Sequence, residues 1–175
     1  NEKDKLSEIY AYGLRNPFSC FYDKDDDKIF CCDVGNNLYE EIDLIEKGKN
    51  YGWDIFEGNV KTGRSDENIT IEHEKPILSY PHTDRRNCVI GGTYYREDKL
   101  SNLQNKFIYA DWNTSLYYLE KENEEWRTGK ITLSNHNNYP GKTVAVNKLN
   151  KDIYIVIKSA GTLTSSSKIY RLSNN

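Results

Sequence analysis

The sequence has no methionine, only three histidines and four prolines, and no long run of apolar residues in its 175 positions. Each shortage excludes something. A chain without methionine that opens on Asn1 is expected to be a processed or excised segment of a larger product. No stretch approaches the roughly 18 to 20 apolar residues that cross a bilayer as a helix, and none has the apolar core of a signal peptide. Positive charge is not in excess: 24 basic residues are scattered among 27 acidic ones for a net charge of -3, so no basic stripe is available to grip a phosphate backbone and nucleic acid is not an expected partner. No C-x2-C pair occurs among the four cysteines, and adjacent Cys31 and Cys32 would point to opposite faces of a strand, which disfavours zinc. Finally, no segment keeps a 3.6-residue apolar stripe over three turns. Leu38 to Glu46 comes nearest, and its apolar positions fit a helix no better than a strand with its turn.

What is abundant is aromatic: fourteen tyrosines lead an aromatic content of 13%, a composition suited to pleated sheets with one wet face. The apolar residues fall in strand-length runs such as FSCFY, KIFCCDV, KFIYAD, SLYYLEK and DIYIVIK, bounded by Gly, Asn, Asp or Lys. FYDKDDDKIF, LEKENEEW and VNKLNKDIYIV each repeat strand, charged turn, strand, at intervals that suit blades of four short strands. The expectation is one all-β domain over residues 1–175, with a β-propeller favoured over a sandwich. Residues 59–68 and 134–142 read as loops within that domain.

Residues 13 to 37, GLRNPFSCFYDKDDDKIFCCDVGNN, concentrate three cysteines and a run of aspartates. Asp23, Asp25 and Asp27 have the spacing that opens an EF-hand loop. The bend glycine and the final glutamate of that loop are replaced by Lys28 and Val34, so a solvated hairpin turn is the better reading. A reversal about Asp25 and Asp26 pairs Asp23 with Lys28, Tyr22 with Ile29, Phe21 with Phe30 and Cys20 with Cys31. Opposed strand residues lie within disulfide range. A Cys20–Cys31 bridge is therefore sterically allowed, with two buried free thiols as the alternative. Cys32 and Cys88 are left open: paired, free, or bonded to cysteines elsewhere.

Four ordered motifs carry a resemblance: EIYAYGLRNP (8 to 17), DVGNN with EIDLIEKGKNYGW (33 to 53), PILSYPH (76 to 82) and IGGTYYR (90 to 96). Across roughly residues 8 to 172 the chain resembles the glucose/sorbosone dehydrogenase family, which includes soluble aldose sugar dehydrogenases that use pyrroloquinoline quinone and the hedgehog-interacting-protein-like proteins. The resemblance implies a six-bladed propeller of which this chain supplies about three blades, the second half, with the N-terminal half missing. The cysteines at 20 and 31 resemble the hedgehog-interacting-protein-like branch.

The same resemblance assigns roles. Arg15 and Asn16 match positions that contact the quinone, a planar tricarboxylate to which a guanidinium fork is well suited; alone, the pair would read as a salt bridge and a turn starter. Gly35 and Asn36 match the loop whose carbonyls hold the catalytic calcium, although Asn36 stands where many members have Pro or Gln. Glu41 and the carbonyl of Tyr51 match a second, structural calcium site; the bland alternative is a solvated glutamate beside a core tyrosine. His82 matches a loop position at the funnel mouth, which a loop histidine explains as well, whereas His73 and His136 match nothing. The family's catalytic base lies upstream of this chain, and the arginine usual after A-D-W is replaced by T-S-L-Y.

Two functions follow. One is a secreted, calcium-stabilised propeller that binds a sugar, protein or glycan without turnover in these residues; the glycan-acceptor triplets at Asn68 and Asn113 are compatible with secretion. The other is part of a quinone-dependent aldose sugar dehydrogenase. The isolated segment is expected to lack activity and, with blade faces uncovered, to be marginal or to self-associate.

Overall fold

The structure is a computed structural model that describes residues 8–64, 66, 68–83, 86–113, 115–134, 141–158 and 167–174. Three antiparallel sheets follow one another along the chain. The first contains β1 (Pro17–Asp23), β2 (Lys28–Asp33), β3 (Tyr39–Ile45) and β6 (Leu78–Pro81), in that spatial order. The second runs β7 (Val89–Tyr95), β8 (Lys106–Asp111), β9 (Ser115–Glu122) and β10 (Glu125–Ile131), and the third β11 (Lys142–Leu149), β12 (Asp152–Lys158) and β13 (Lys168–Arg171). A small ribbon, β4 (Phe56–Glu57) with β5 (Val60–Lys61), interrupts the first sheet between β3 and β6. Among the described residues there is no α-helix, and Leu38 to Glu46 resolves as strand β3. This is a partial β-propeller of about three blades, as the sequence predicts.

Alternation along the middle sheet explains the stacking. Val89, Phe107, Tyr109, Tyr117 and Leu119 face the first sheet and pack on Phe30, Cys32, Ile42 and Tyr80. Ile90, Tyr95, Ile108, Ala110 and Leu116 face the third and pack on Val146, Ile153, Ile155 and Ile157. Successive residues of one strand thus serve two different cores, which is possible only at a period of two. Full burial of each of these aliphatic or aromatic side chains contributes about 1.5 to 3 kcal/mol, so most of the blade-to-blade adhesion is apolar.

The opening hairpin has the expected register: Asp23 opposes Lys28, Tyr22 Ile29, Phe21 Phe30 and Cys20 Cys31. Cys20 and Cys31 form a disulfide, which closes the alternative of two free thiols, while Cys32 and Cys88 are free. The LEKENEEW and VNKLNKDIYIV segments are likewise hairpins, pairing Glu122 with Glu125 and Leu149 with Asp152.

The aspartate run does more than solvate a turn. Arg96, just past β7 of the next blade, inserts its guanidinium among Asp23 (2.5 Å), Asp26 (3.1 Å) and Asp25 (3.3 Å) and lies over the Tyr94 ring. The cation met by this acidic turn is therefore an arginine of the neighbouring blade. Glu40, fully buried, adds a second tie between the same blades by accepting from the Val89 amide (2.8 Å) and lying 2.5 Å from His82 Nε2. The Tyr80 hydroxyl donates to Asp111 (2.8 Å) to make a third.

Candidate functional site

The site lies on the first blade, on the face opposite the shared core. Strand β2 places Asp33 opposite Glu41 of β3 and Cys31 opposite Asp43, so alternation sends Asp33, Glu41 and Asp43 to one side and Cys32 and Ile42 to the other. Their carboxylates come within 4.8 Å of one another, and all three residues are buried. Asp33 is partly satisfied, because its oxygens accept the backbone amides of Arg15 (2.8 Å) and Asn16 (2.5 Å). Glu41 accepts the Gly58 amide (3.0 Å). Asp43 has neither oxygen hydrogen-bonded.

Three buried carboxylates with no cation among them are costly as anions. Burial first, then the Asp33 charge, raises the Glu41 carboxyl to about 8. Burial, then the Glu41 charge, drives Asp43 well above the usual carboxylate range. Burial also raises Asp33, against the pull of the two amides. An all-oxygen, multiply anionic set of this kind suits a hard divalent cation such as calcium. The orphaned oxygens of Asp43 are the observation that shows the fit.

Next to the trio, residues 34–39 form a loop polarised in two directions. Its amides converge on Glu57 of β4: Asn36, Asn37, Leu38 and Tyr39 all donate to the same carboxylate oxygen, at 2.7 to 3.0 Å. Burial works against this carboxylate, but the four donors leave its pKa below the ordinary value. The neighbouring carbonyls face Arg15, whose guanidinium donates to Val34 O (2.8 Å), Gly35 O (2.7 Å) and Asn36 Oδ1 (3.2 Å). Gly35 has no room for a side chain here, since a Cβ would stand 1.6 Å from the Tyr39 carbonyl oxygen.

The expected site residues are thus distributed as follows. Glu41 joins the acidic trio. Gly35 and Asn36 lie in the polarised loop, where Gly35 O and Asn36 Oδ1 accept from the Arg15 guanidinium. Arg15 commits three N–H donors to that loop, and Asn16 contributes a backbone amide to Asp33. Tyr51 is buried, with its hydroxyl donating to Leu44 O and accepting from the Glu46 amide, both at 2.8 Å. His73 stacks on Phe56, at 3.9 Å between ring centroids, away from the carboxylate trio's contacts. His136 lies outside the described residues. Asp33, Asp43 and Glu57 were not singled out from the sequence. The E-I-D spacing already puts two acids on one strand face, and the hairpin register adds the third.

With this geometry established, comparison with known proteins identifies the class. The glucose/sorbosone dehydrogenase family profile matches residues 1–163, and the chain belongs to that family. The chain is 34% identical to the HIPL2 protein of Arabidopsis thaliana over 140 residues, 71% of this chain and 19% of that protein. With the HIPL1 protein of the same plant it is 34% identical over 122 residues, covering 63% of this chain and 18% of the relative. It spans about a fifth of those two relatives. Among solved structures, the apo form of the soluble aldose sugar dehydrogenase of Escherichia coli superposes with a TM-score of 0.77 at 19% identity, over 99% of this chain and 49% of that one. A PQQ-bound aldose sugar dehydrogenase of Streptomyces coelicolor gives a TM-score of 0.66 at 18% identity, over 93% of this chain and 44% of the other. These likenesses establish the propeller fold.

Proposed function

We propose that this chain is part of a secreted, calcium-stabilised propeller that binds a sugar, glycan or protein ligand and performs no turnover in these residues. The observation that carries the reading is the buried trio Asp33, Glu41 and Asp43, with Asp43 unpartnered on both oxygens. A calcium ion there would neutralise charge that the fold otherwise confines at high cost, and its role would be to rigidify the blade. The 34–39 loop is held from both sides by this chain's own residues, Arg15 on its carbonyls and Glu57 on its amides, which supports a structural part for it beside the trio. The Cys20–Cys31 disulfide favours an oxidising compartment. Among the described residues no helix is long and apolar enough to cross a membrane.

A second reading, part of a quinone-dependent aldose sugar dehydrogenase, is favoured by the fold shared with the PQQ-bound Streptomyces enzyme. The two separate in one experiment. Full-length protein is loaded with pyrroloquinoline quinone and calcium and assayed for dye-linked aldose oxidation. The binding reading expects no turnover and no quinone absorbance change; sustained oxidation would overturn it.

A further inference from the structure

The glycan-acceptor pattern Asn-x-Ser/Thr occurs twice in the chain, at Asn68 with Thr70 and at Asn113 with Ser115, and the fold treats the two in opposite ways. Asn68, Ile69 and Thr70 are all exposed, and the described residues between Lys61 and Leu78 hold no strand. Asp66 presents the acceptor: its Oδ1 receives both the backbone amide and the side-chain Nδ2 of Asn68, each at 2.9 Å. The Ile69 amide donates to Asp66 O (2.9 Å) and Lys61 Nζ to Ile69 O (3.1 Å). The backbone of this turn is therefore anchored while its side chains stay in contact with water.

Asn113 is held in the β8–β9 reversal instead. Asp111 opposes Ser115 across it, so the hydroxyl residue of that triplet already belongs to strand β9. Asn113 is half-buried; its amide donates to Asp111 (3.4 Å), and its side-chain oxygen accepts from Lys142 of the third sheet. The preceding Trp112 packs on the core between the second and third sheets, and its carbonyl accepts the Thr143 amide (3.1 Å). A sugar chain grown from Asn113 would have to emerge at the join between two blades.

From this contrast we propose that Asn68 carries an N-linked glycan and that Asn113 does not. Such a group is bulky and belongs on the surface loops of secreted chains. The transfer is redox-neutral. Asn68 Nδ2 forms a bond to the anomeric carbon of an oligosaccharide, and the bond from that carbon to the diphosphate of a lipid-linked donor breaks. The diphosphate leaves with the electron pair, and Nδ2 releases one proton. Its other N–H remains, so the hydrogen bond to Asp66 survives the modification. A glycan here also marks the loop around Asn68 as open to solvent in the whole protein, with no further blade laid over it. The inference rests on the secretion in the reading above and goes beyond it by assigning the modified atom.

The test expresses full-length protein in a eukaryotic host and maps both asparagines by peptide mass spectrometry. Glycans are released enzymatically in heavy-oxygen water, which converts a glycosylated asparagine to a labelled aspartate. The label is expected at Asn68 in most chains and to be missing at Asn113. The T70A variant removes the acceptor pattern while leaving Asn68 and its bonds to Asp66 in place, and it should lose the Asn68 label without losing secretion. An unlabelled Asn68 in protein recovered from the medium, a labelled Asn113 in the same protein, or a label at Asn68 that persists in T70A would overturn the proposal. Retention of the protein inside the cell would defeat the secretion reading alone. The same map, made on protein led into the secretory route by an added signal segment, then decides between the two acceptors.

Discussion

Arg15 places its guanidinium 2.7 Å from the carbonyl oxygen of Gly35. A positive group thus fills the position that faces the outward acceptors of the 34–39 loop. Val34 O and Asn36 Oδ1 accept from the same side chain. Arg15→Ala removes all three bonds and leaves the carbonyls to water. The expected loss is about 2 kcal/mol, given roughly 0.5 to 1.5 kcal/mol for each exchanged bond and more for charged donors. Denaturant melts with matched m-values measure it, and an unchanged midpoint would show that the loop does not depend on the guanidinium.

Glu57 holds the other side of the same loop, and its loss is expected to cost more. Glu57→Ala strands four amides that now share one carboxylate oxygen. A destabilisation above about 3 kcal/mol is expected, with Glu57→Gln intermediate because an amide oxygen still accepts. The pH dependence has a fixed sign. The folded pKa of Glu57 is lowered, so its contribution is present above the unfolded value near 4.5 and is lost as pH falls through the folded value. Chemical melts of wild type and Glu57→Gln between pH 6 and 3 should therefore converge toward acid.

Much of this fold was readable locally. The hairpin register from Asp23 to Lys28 follows from alternation and a charged reversal, and that register allows the Cys20–Cys31 bridge that the structure forms. What was not readable is non-local. The cation met by Asp23 and its neighbours is Arg96, 73 residues away, and no pattern inside the aspartate run announces it. Nothing in the sequence marks Glu57, since a glutamate before glycine is ordinarily solvated; its burial depends on the 34–39 loop folding over it. Asp43 sits in a strand where charge normally marks the wet face, and only the register with Cys31, together with the burial of that face, shows it to be confined.

The Arg96 clasp should behave as a cross-blade bond. Arg96→Ala leaves the nearly buried Asp23 carboxylate without its guanidinium, at an expected cost of about 2 kcal/mol once the partial exposure of Arg96 is allowed for. Asp25→Asn, at the exposed rim of the same group, should change stability by less than about 0.5 kcal/mol. Thermal melts of both variants check the contrast. Equal effects would mean that the acidic turn is only a solvated loop.

Thiol counting tests the disulfide directly. Unfolded but unreduced protein should take up two alkyl groups, on Cys32 and Cys88, and reduced protein four. Reduction should also lower stability by about 3 kcal/mol, the loop-entropy value for a closure of this length. Four groups without reductant would remove the bridge from the account.

Calcium binding by Asp33, Glu41 and Asp43 is tested most directly by the melting temperature of full-length protein at neutral pH, in calcium and in chelator, for wild type and Asp43→Asn. In chelator, the raised Glu41 carboxyl contributes its stabilisation fully below the unfolded value of 4.5 and loses it as pH rises through about 8. Chelated wild type should therefore weaken across that window, and calcium should restore it by several degrees. Asp43→Asn, with one buried carboxyl fewer to neutralise on folding, should melt above chelated wild type and respond little to calcium. Identical melting of the wild type in calcium and in chelator would contradict the account.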